Sequence, residues 1–374
     1  VSAKKVMFVN YLIWTPGSPN FKYKYELFSR RYSGRMMHLS AETGEERAGD
    51  FLFTSYRYRP NVFLRQAGYL LYCLKTAWKM RPLDYIIAYD PSICGLIGLL
   101  ARLVAGGKLV VEVNTDHLYE PGAQARAPLR RLAAGAKHAL MRAVLRRADG
   151  IKFINSLFAR TYAKTFGLSG NGDGPRQATF FSYISTHVFN PVNREGDFIL
   201  LVGHPFDIKG VDVMLKAFQR ISPDYPDVTL KVIGHCPDMN PYLELANANP
   251  NIVFRKGVPY EELIPEFENC LMCVSASRTE SMSRVLIEAM ACGKAVIGSR
   301  VGGIPEVIDE GVTGLLFESE NDADLAARMR ELLDDPQRRR AMGAAGLARA
   351  RERFTPERYT DTYHRFLESL GPRA

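Results

Sequence analysis

Apolar residues along the chain fall into short runs of four to seven, separated by longer stretches in which they recur at helical spacing. KKVMFVNY opens the chain as a strand, followed by a Pro/Gly-rich loop, TPGSP, around Gly17; KYELFSRRY then has the pattern of a helix start. DYIIAY (84–89) and KLVVEVN (108–114) are β-rich runs on either side of the helical SICGLIGLLARLV, and IKFIN (151–155) follows a further helix. Such alternation predicts a parallel sheet.

Residues 168–196 break the rhythm with LSGNGDGPR and VFNPVNREGD, both dense in Gly, Pro and Asn, and a domain junction is expected near residue 193. Beyond it the pattern restarts. Strands are predicted at FILLVG (198–203), VTLKVIG (228–234), NIVFRKG (251–257), LMCVSAS, KAVIGS (294–299) and GLLF (314–317), with helices from Lys209 and from Ser283. A last helix is expected from Thr355-Pro356-Glu357, where a capping Thr precedes a Pro at the first helical position. The expected fold class is therefore α/β, with two Rossmann-like, doubly wound parallel-sheet domains over residues 1–193 and 194–374, facing each other across a cleft, the final helix returning to the first domain.

Length agrees, since 374 residues exceed one ordinary core. No apolar stretch approaches the roughly 20 residues needed to span a bilayer. The start, Lys4-Lys5 and VMFVNYLIW, reads as a buried strand rather than a signal sequence, because Asn10 interrupts it and no small-residue cleavage site follows. The six cysteines are scattered, and Cys270-x-x-Cys273 lies in an apolar run without a second pair or histidines, so buried thiols in a reducing cytoplasm are expected rather than a disulfide framework or a zinc site.

Charge is divided unevenly. Up to residue 190 there are 27 Lys/Arg against 12 Asp/Glu; the remainder has 22 against 28. A first half this basic is expected to meet something anionic. Within RAPLRRLAAGAKHALMRAVLRRAD (126–149), Leu129, Leu132, Ala133, Ala136, Leu140, Ala143 and Val144 fall on one helical face with most of the basic residues opposite, and LRQAGYLLYCLKTAWKMR (64–81) mixes aromatics with cations. The expected partner is an anionic membrane surface, placing the protein at the inner face of a membrane; nucleic acid is not expected, because no binding motif accompanies the charge.

The chemistry concentrates in SASRTESMSRVLIEAMACGKAVIGS. A polar loop at the C-terminal end of a strand leads into a helix, the edge at which open α/β sheets bind ligands. Glu280 lies at the helix entry and Glu288 two turns on, so both carboxylates can border one site while the helix's first amides offer donors to a phosphate. This block, with GGIPEVI and GVTGLLF after it, resembles the donor site of the family-four retaining glycosyltransferases of the GT-B fold. LVGHPFDIKGVDVMLKAF (201–218) resembles the same family's strand, loop and Lys-Gly-helix segment.

The resemblance implies a nucleotide-diphosphate-sugar as donor substrate, no other cofactor, and no metal. It implies Glu280 at the hydroxyls of the transferred sugar, Glu288 at the ribose and Lys209 at the diphosphate. Gly203, His204, Ser281, Met282 and Ser283 would lie at the sugar and phosphates, and Gly234, His235 and the strand end at Arg255 to Val258 at the base. It also implies same-face transfer to a glycan or lipid-linked acceptor held by the first domain.

Departures from the family pattern are specific. Ser281-Met282-Ser283 replaces Gly-Phe-Gly, and His204 replaces an arginine that would grip phosphate with two donors. Gly17 stands alone in its turn. At the end of VVEV the usual histidine position holds Asn114, leaving Asp116 or His117 as the polar group near the sugar. A nucleotide-sugar epimerase and a non-catalytic nucleotide-sugar-binding protein are the competing readings.

Overall fold

The computed structural model describes residues 3–13, 19–58, 60–118, 128–168, 174–191 and 194–371. Contacts divide the chain into two units, one of Val1–Phe181 with Pro356–Ala374 and one of Ser182–Thr355.

The first unit runs β1 (Lys4–Ile13), α1 (Pro19–Phe28), β2 (Tyr32–Ser40), β3 (Gly44–Ala48), β4 (Phe51–Arg57), α2 (Val62–Met80), β5 (Tyr85–Ala88), α3 (Ile93–Ala105), β6 (Lys108–Val113), α4 (Pro128–Arg147), β7 (Gly150–Phe153), α5 (Ser156–Phe166) and β8 (Arg176–Thr179). Its sheet has the order β3-β4-β2-β1-β5-β6-β7-β8, parallel except for the β3–β4 pair. β1, β5 and β6 are buried on both faces, which is why they read as continuous apolar runs.

The second unit contains β9 (Phe198–Val202), α6 (Val211–Ile221), β10 (Thr229–Ile233), α7 (Asn240–Ala246), β11 (Ile252–Arg255), α8 (Tyr260–Asn269), β12 (Met272–Ser275), α9 (Arg284–Ala291), β13 (Ala295–Ser299), α10 (Ile304–Val307), β14 (Leu315–Phe317), α11 (Asp322–Asp334) and α12 (Pro336–Arg353). Its six strands are all parallel, in the order β11-β10-β9-β12-β13-β14. This is the doubly wound order with its switch point between β9 and β12. The last helix, α13 (Pro356–Ser369), belongs to the first unit, where Tyr363 and Leu367 are fully buried. The expected fold class, two Rossmann-like α/β units, is the one observed.

Local differences have physical reasons. β8 lies inside the Gly/Pro/Asn-rich stretch expected to be a junction; an edge strand of Arg, Gln, Ala and Thr has no apolar signature. The helix expected from Lys209 begins at Val211, because Gly210 takes a left-handed conformation (φ 63°) at the cap. In α4 the apolar face is exposed at Leu132, Ala133 and Ala136. Val144 of the same face is buried, with Met141 and Leu145 beside it in the later turns, and nests over Gly95 of α3. Cys270 and Cys273 are buried free thiols, as expected.

Candidate donor site and its neighbours

Two loops meet at the switch point of the second unit. After β9 the chain turns through Phe206, which is buried against Tyr242, and Lys209 N–H donates to the Pro205 carbonyl at 3.0 Å. The backbones at Gly203 and Gly234 lie so close that a Cβ on Gly234 would sit 2.0 Å from the Gly203 carbonyl oxygen, and one on Gly203 would strike the Lys209 stem. A side chain at Gly203 would displace the lysine, and one at Gly234 would push against the Gly203 backbone and the Phe206 ring.

The loop after β12 brings Glu280 to Lys209. The Lys209 Nζ donates to Glu280 Oε2 at 2.6 Å, with both side chains largely but not fully withdrawn from water. Arg278, not singled out in the sequence, fastens the two loops together. Its guanidinium donates twice to Asp212, at 2.9 and 2.8 Å, and also to the Asp207 carbonyl, while its backbone N–H donates to the Ile208 carbonyl at 2.8 Å. These hydrogen bonds to Asp212 raise the Arg278 pKa; burial pushes Asp212 up, but Arg278 more than offsets it and holds that carboxyl below its usual range.

The backbone of Glu280 is set from behind. Gly303 N–H donates to the Glu280 carbonyl at 3.0 Å, and Gly302 (φ 54°) passes so near that a Cβ would fall 1.7 Å from that oxygen. Only glycine fits.

Ser281 is half-buried, whereas Met282 and Ser283 are buried. Ser283 Oγ donates to Ser275 Oγ at 3.4 Å and does not cap α9, so the first amides of that helix receive no side-chain oxygen from it. Ser283 has φ −72° and ψ 91°, ordinary extended values, which explains how a serine stands where the family has glycine.

Glu288 is buried on α9. Tyr260 at the start of α8 donates its hydroxyl to Glu288 Oε1 at 3.0 Å, and Arg284 lies 3.5 Å from the same oxygen. Burial raises the Glu288 pKa despite these two partners. His204 is exposed, with Nδ1 2.9 Å from the His235 carbonyl; it is therefore the donor there, leaving Nε2 as the nitrogen available to a ligand. The Arg255 side chain is occupied by Glu262 and Glu266 of α8, and Val258 is half-buried just beyond β11.

In the first unit Gly17 lies outside the described residues. Asn114, Asp116 and His117 follow β6. Asp116 Oδ1 accepts the Leu118 N–H at 3.0 Å, and the His117 N–H donates to the Tyr162 hydroxyl at 3.0 Å. Burial lowers the His117 pKa, against the pull of Asp90 at the end of neighbouring β5. Asn114 points into a buried network: it donates to Glu112 at 2.6 Å and accepts from Lys152 at 2.7 Å, while Tyr363 of α13 donates to Glu112 at 2.8 Å. Among the described residues no group of three His, Cys, Asp or Glu side chains is placed to hold a metal ion.

Lys209, Glu280 and the α9 amino terminus lie together at the switch point of a six-stranded parallel sheet, in an α/β unit of the kind found in GT-B proteins. Residues 185–349 match the family model of the Glycosyl transferases group 1. The resemblance read from Glu280, Glu288 and the Lys209-Gly210 segment is thus borne out. The chain is 33% identical over 173 residues to an uncharacterized glycosyltransferase of Methanocaldococcus jannaschii, covering 42% of this chain and 46% of that protein. It is 30% identical over 148 residues, 37% of this chain and 39% of the other, to a GDP-mannose-dependent alpha-(1-6)-phosphatidylinositol monomannoside mannosyltransferase of Mycolicibacterium smegmatis. The matches thus span less than half the length of these curated relatives. In fold the chain is similar to sucrose-phosphate synthase from Thermosynechococcus elongatus, with a TM-score of 0.78 at 17% identity over 98% of this chain and 99% of that one.

Proposed function

We propose that the protein is a retaining glycosyltransferase that moves a sugar from a nucleoside-diphosphate sugar to a membrane-proximal glycan or lipid-linked acceptor, without a metal, in cell-envelope polysaccharide or glycolipid synthesis. The observation that carries this reading is the Lys209–Glu280 pair at the β9/β12 switch point.

In the proposed reaction the bond between the anomeric carbon and the diphosphate oxygen breaks, and the electron pair leaves with the nucleoside diphosphate. Lys209 supplies the positive charge that this leaving group needs, with the uncapped α9 amides adding donors. Glu280 accepts hydroxyls of the transferred sugar and Glu288 those of the ribose, and Gly234, His235 and Val258 border the base. The acceptor hydroxyl attacks from the departing side and gives its proton to the leaving diphosphate. Positioning and charge, rather than a protein nucleophile, lower the barrier. The first unit takes the acceptor, with His117, Asp116 or Asn114 as the polar group at the sugar. The lipid-linked acceptor is supported by the mannoside-extending relative and by the basic first half.

The test is incubation with a panel of labelled nucleoside-diphosphate sugars and a membrane lipid extract, with and without chelator. Labelled glycolipid with the donor's anomeric configuration, unaffected by chelator, is expected. Binding without turnover in every combination would leave a nucleotide-sugar-binding protein, and conversion of donor to its epimer would replace transfer by epimerisation.

A further inference from the structure

Helix α2 is apolar on two sides. Tyr69, Cys73, Thr76 and Ala77 are buried on its inner side, the ordinary face of a helix packed on a sheet. On the opposite side Leu64, Leu71 and Trp78 recur every seven residues and are 58%, 66% and 53% exposed, and Phe63 beside them is 83% exposed. Two turns separate successive members, so the row extends about 21 Å along the helix. On neighbouring α3, Leu103 is also exposed. Among the described residues of the first unit nothing covers this row.

The charge along α2 itself has one sign. From Pro60 to Leu83 there is no Asp or Glu, while Arg65, Lys75, Lys79 and Arg81 are present. Arg81 lies over the Trp78 ring with its guanidinium carbon 4.0 Å from the ring centroid, so the indole and a cation share one site. Beyond α3, α4 exposes Arg142 and Arg146, and residues 121–148 hold no acidic residue.

We propose that the outer face of α2 is a docking surface for an anionic lipid bilayer, with Leu64, Leu71 and Trp78 at the boundary between headgroups and acyl chains and the flanking lysines and arginines among the headgroups. This deepens the proposed function and rests on it for the nature of the acceptor, but it identifies the surface independently of turnover. A helix whose outward face interleaves apolar residues with cations, Lys75 lying one turn from both Leu71 and Trp78, and that carries no carboxylate, is matched by an interface that is apolar below and anionic at its rim. A second copy of the chain is a poor match, since it would bring Lys75, Lys79 and Arg81 against their own kind without a carboxylate on that helix.

The chain has two tryptophans, so Trp14→Phe leaves Trp78 as the sole reporter. The full chain is mixed with vesicles of phosphatidylcholine alone or in equal parts with phosphatidylglycerol, with no donor or acceptor sugar present. With the anionic vesicles Trp78 emission is expected to shift to the blue and to be quenched by brominated acyl chains. Salt should weaken the effect, and Leu71→Asp should lower partitioning by about tenfold or more while leaving circular dichroism unchanged. Three results overturn the proposal: no binding to anionic vesicles, binding in which Trp78 stays unquenched, or a blue shift without vesicles that grows with protein concentration as sedimentation shows a dimer. Glycosyl transfer to a soluble acceptor reports separately on the proposed reaction.

Discussion

Lys209 Nζ and Glu280 Oε2 lie 2.6 Å apart, from loops that follow different strands, and the pair stands at the point where the strand order of the second sheet reverses. In the absence of donor each neutralises the other. In the proposed reaction a bound diphosphate would take over the lysine as a partner and free the glutamate for sugar hydroxyls. Lys209→Met should therefore reduce kcat by roughly 100-fold, the scale of losing one preorganised charge at a leaving group. It should also weaken binding of the free nucleoside diphosphate, measured by titration calorimetry.

Gly302 sets the Glu280 backbone. In Gly302→Ala the new Cβ meets the Glu280 carbonyl in a left-handed backbone, so a loss of roughly 2–4 kcal/mol in unfolding free energy is expected, together with lost transfer. Gly311→Ala is the control: it shares a positive φ but has open space, and should cost only about 1 kcal/mol. Equal losses in urea titrations of the two variants would contradict the clamp.

Glu288 gives a pH signature. Its folded pKa is raised by burial, so the unfolded chain releases the proton first, and folding stability falls as pH rises from the ordinary glutamate value of 4.5 through the folded value. Glu288→Gln removes that dependence. The variant should gain thermal stability over the parent as pH rises from about 4 to 7 while losing affinity for nucleotide, and a constant difference in melting temperature would argue against a strained carboxylate.

Within the first unit Glu112 faces two buried lysines, Lys24 and Lys152, each brought down to about 8 by burial against the pull of Glu112. Glu112→Gln leaves both cations without that carboxylate and should cost about 3 kcal/mol or more at neutral pH. Because the folded lysines release protons before the unfolded ones, stability rises with pH above about 8, more steeply in the variant. The gap in melting temperature between parent and Glu112→Gln should therefore narrow between about pH 7 and 9.5.

Strands such as FILLV and KLVVEV were legible because burial on both faces leaves an uninterrupted apolar run. β2 was not, since its buried Met36, Met37 and Leu39 are interleaved with Arg35, His38 and serines. Lys209, Glu280 and Glu288 were legible through local spacing within a known pattern. Arg278, Gly302 and Tyr260 were not, for a common reason: each acts across a distance in sequence, on Asp212, on the Glu280 carbonyl and on Glu288, and neither composition nor periodicity records such pairings. In α4, Ala and Leu at helical spacing show that an apolar face exists, not which of its residues are covered.

The most direct measurement is release of free nucleoside diphosphate from the donor that the protein uses, in the presence of lipid extract, compared among the parent, Lys209→Ala and Glu280→Gln with folding checked by circular dichroism. The account predicts turnover by the parent and a loss of roughly 100-fold or more in each variant. Parent-like turnover in both variants would contradict it, and would place the reaction away from the switch point of the second unit.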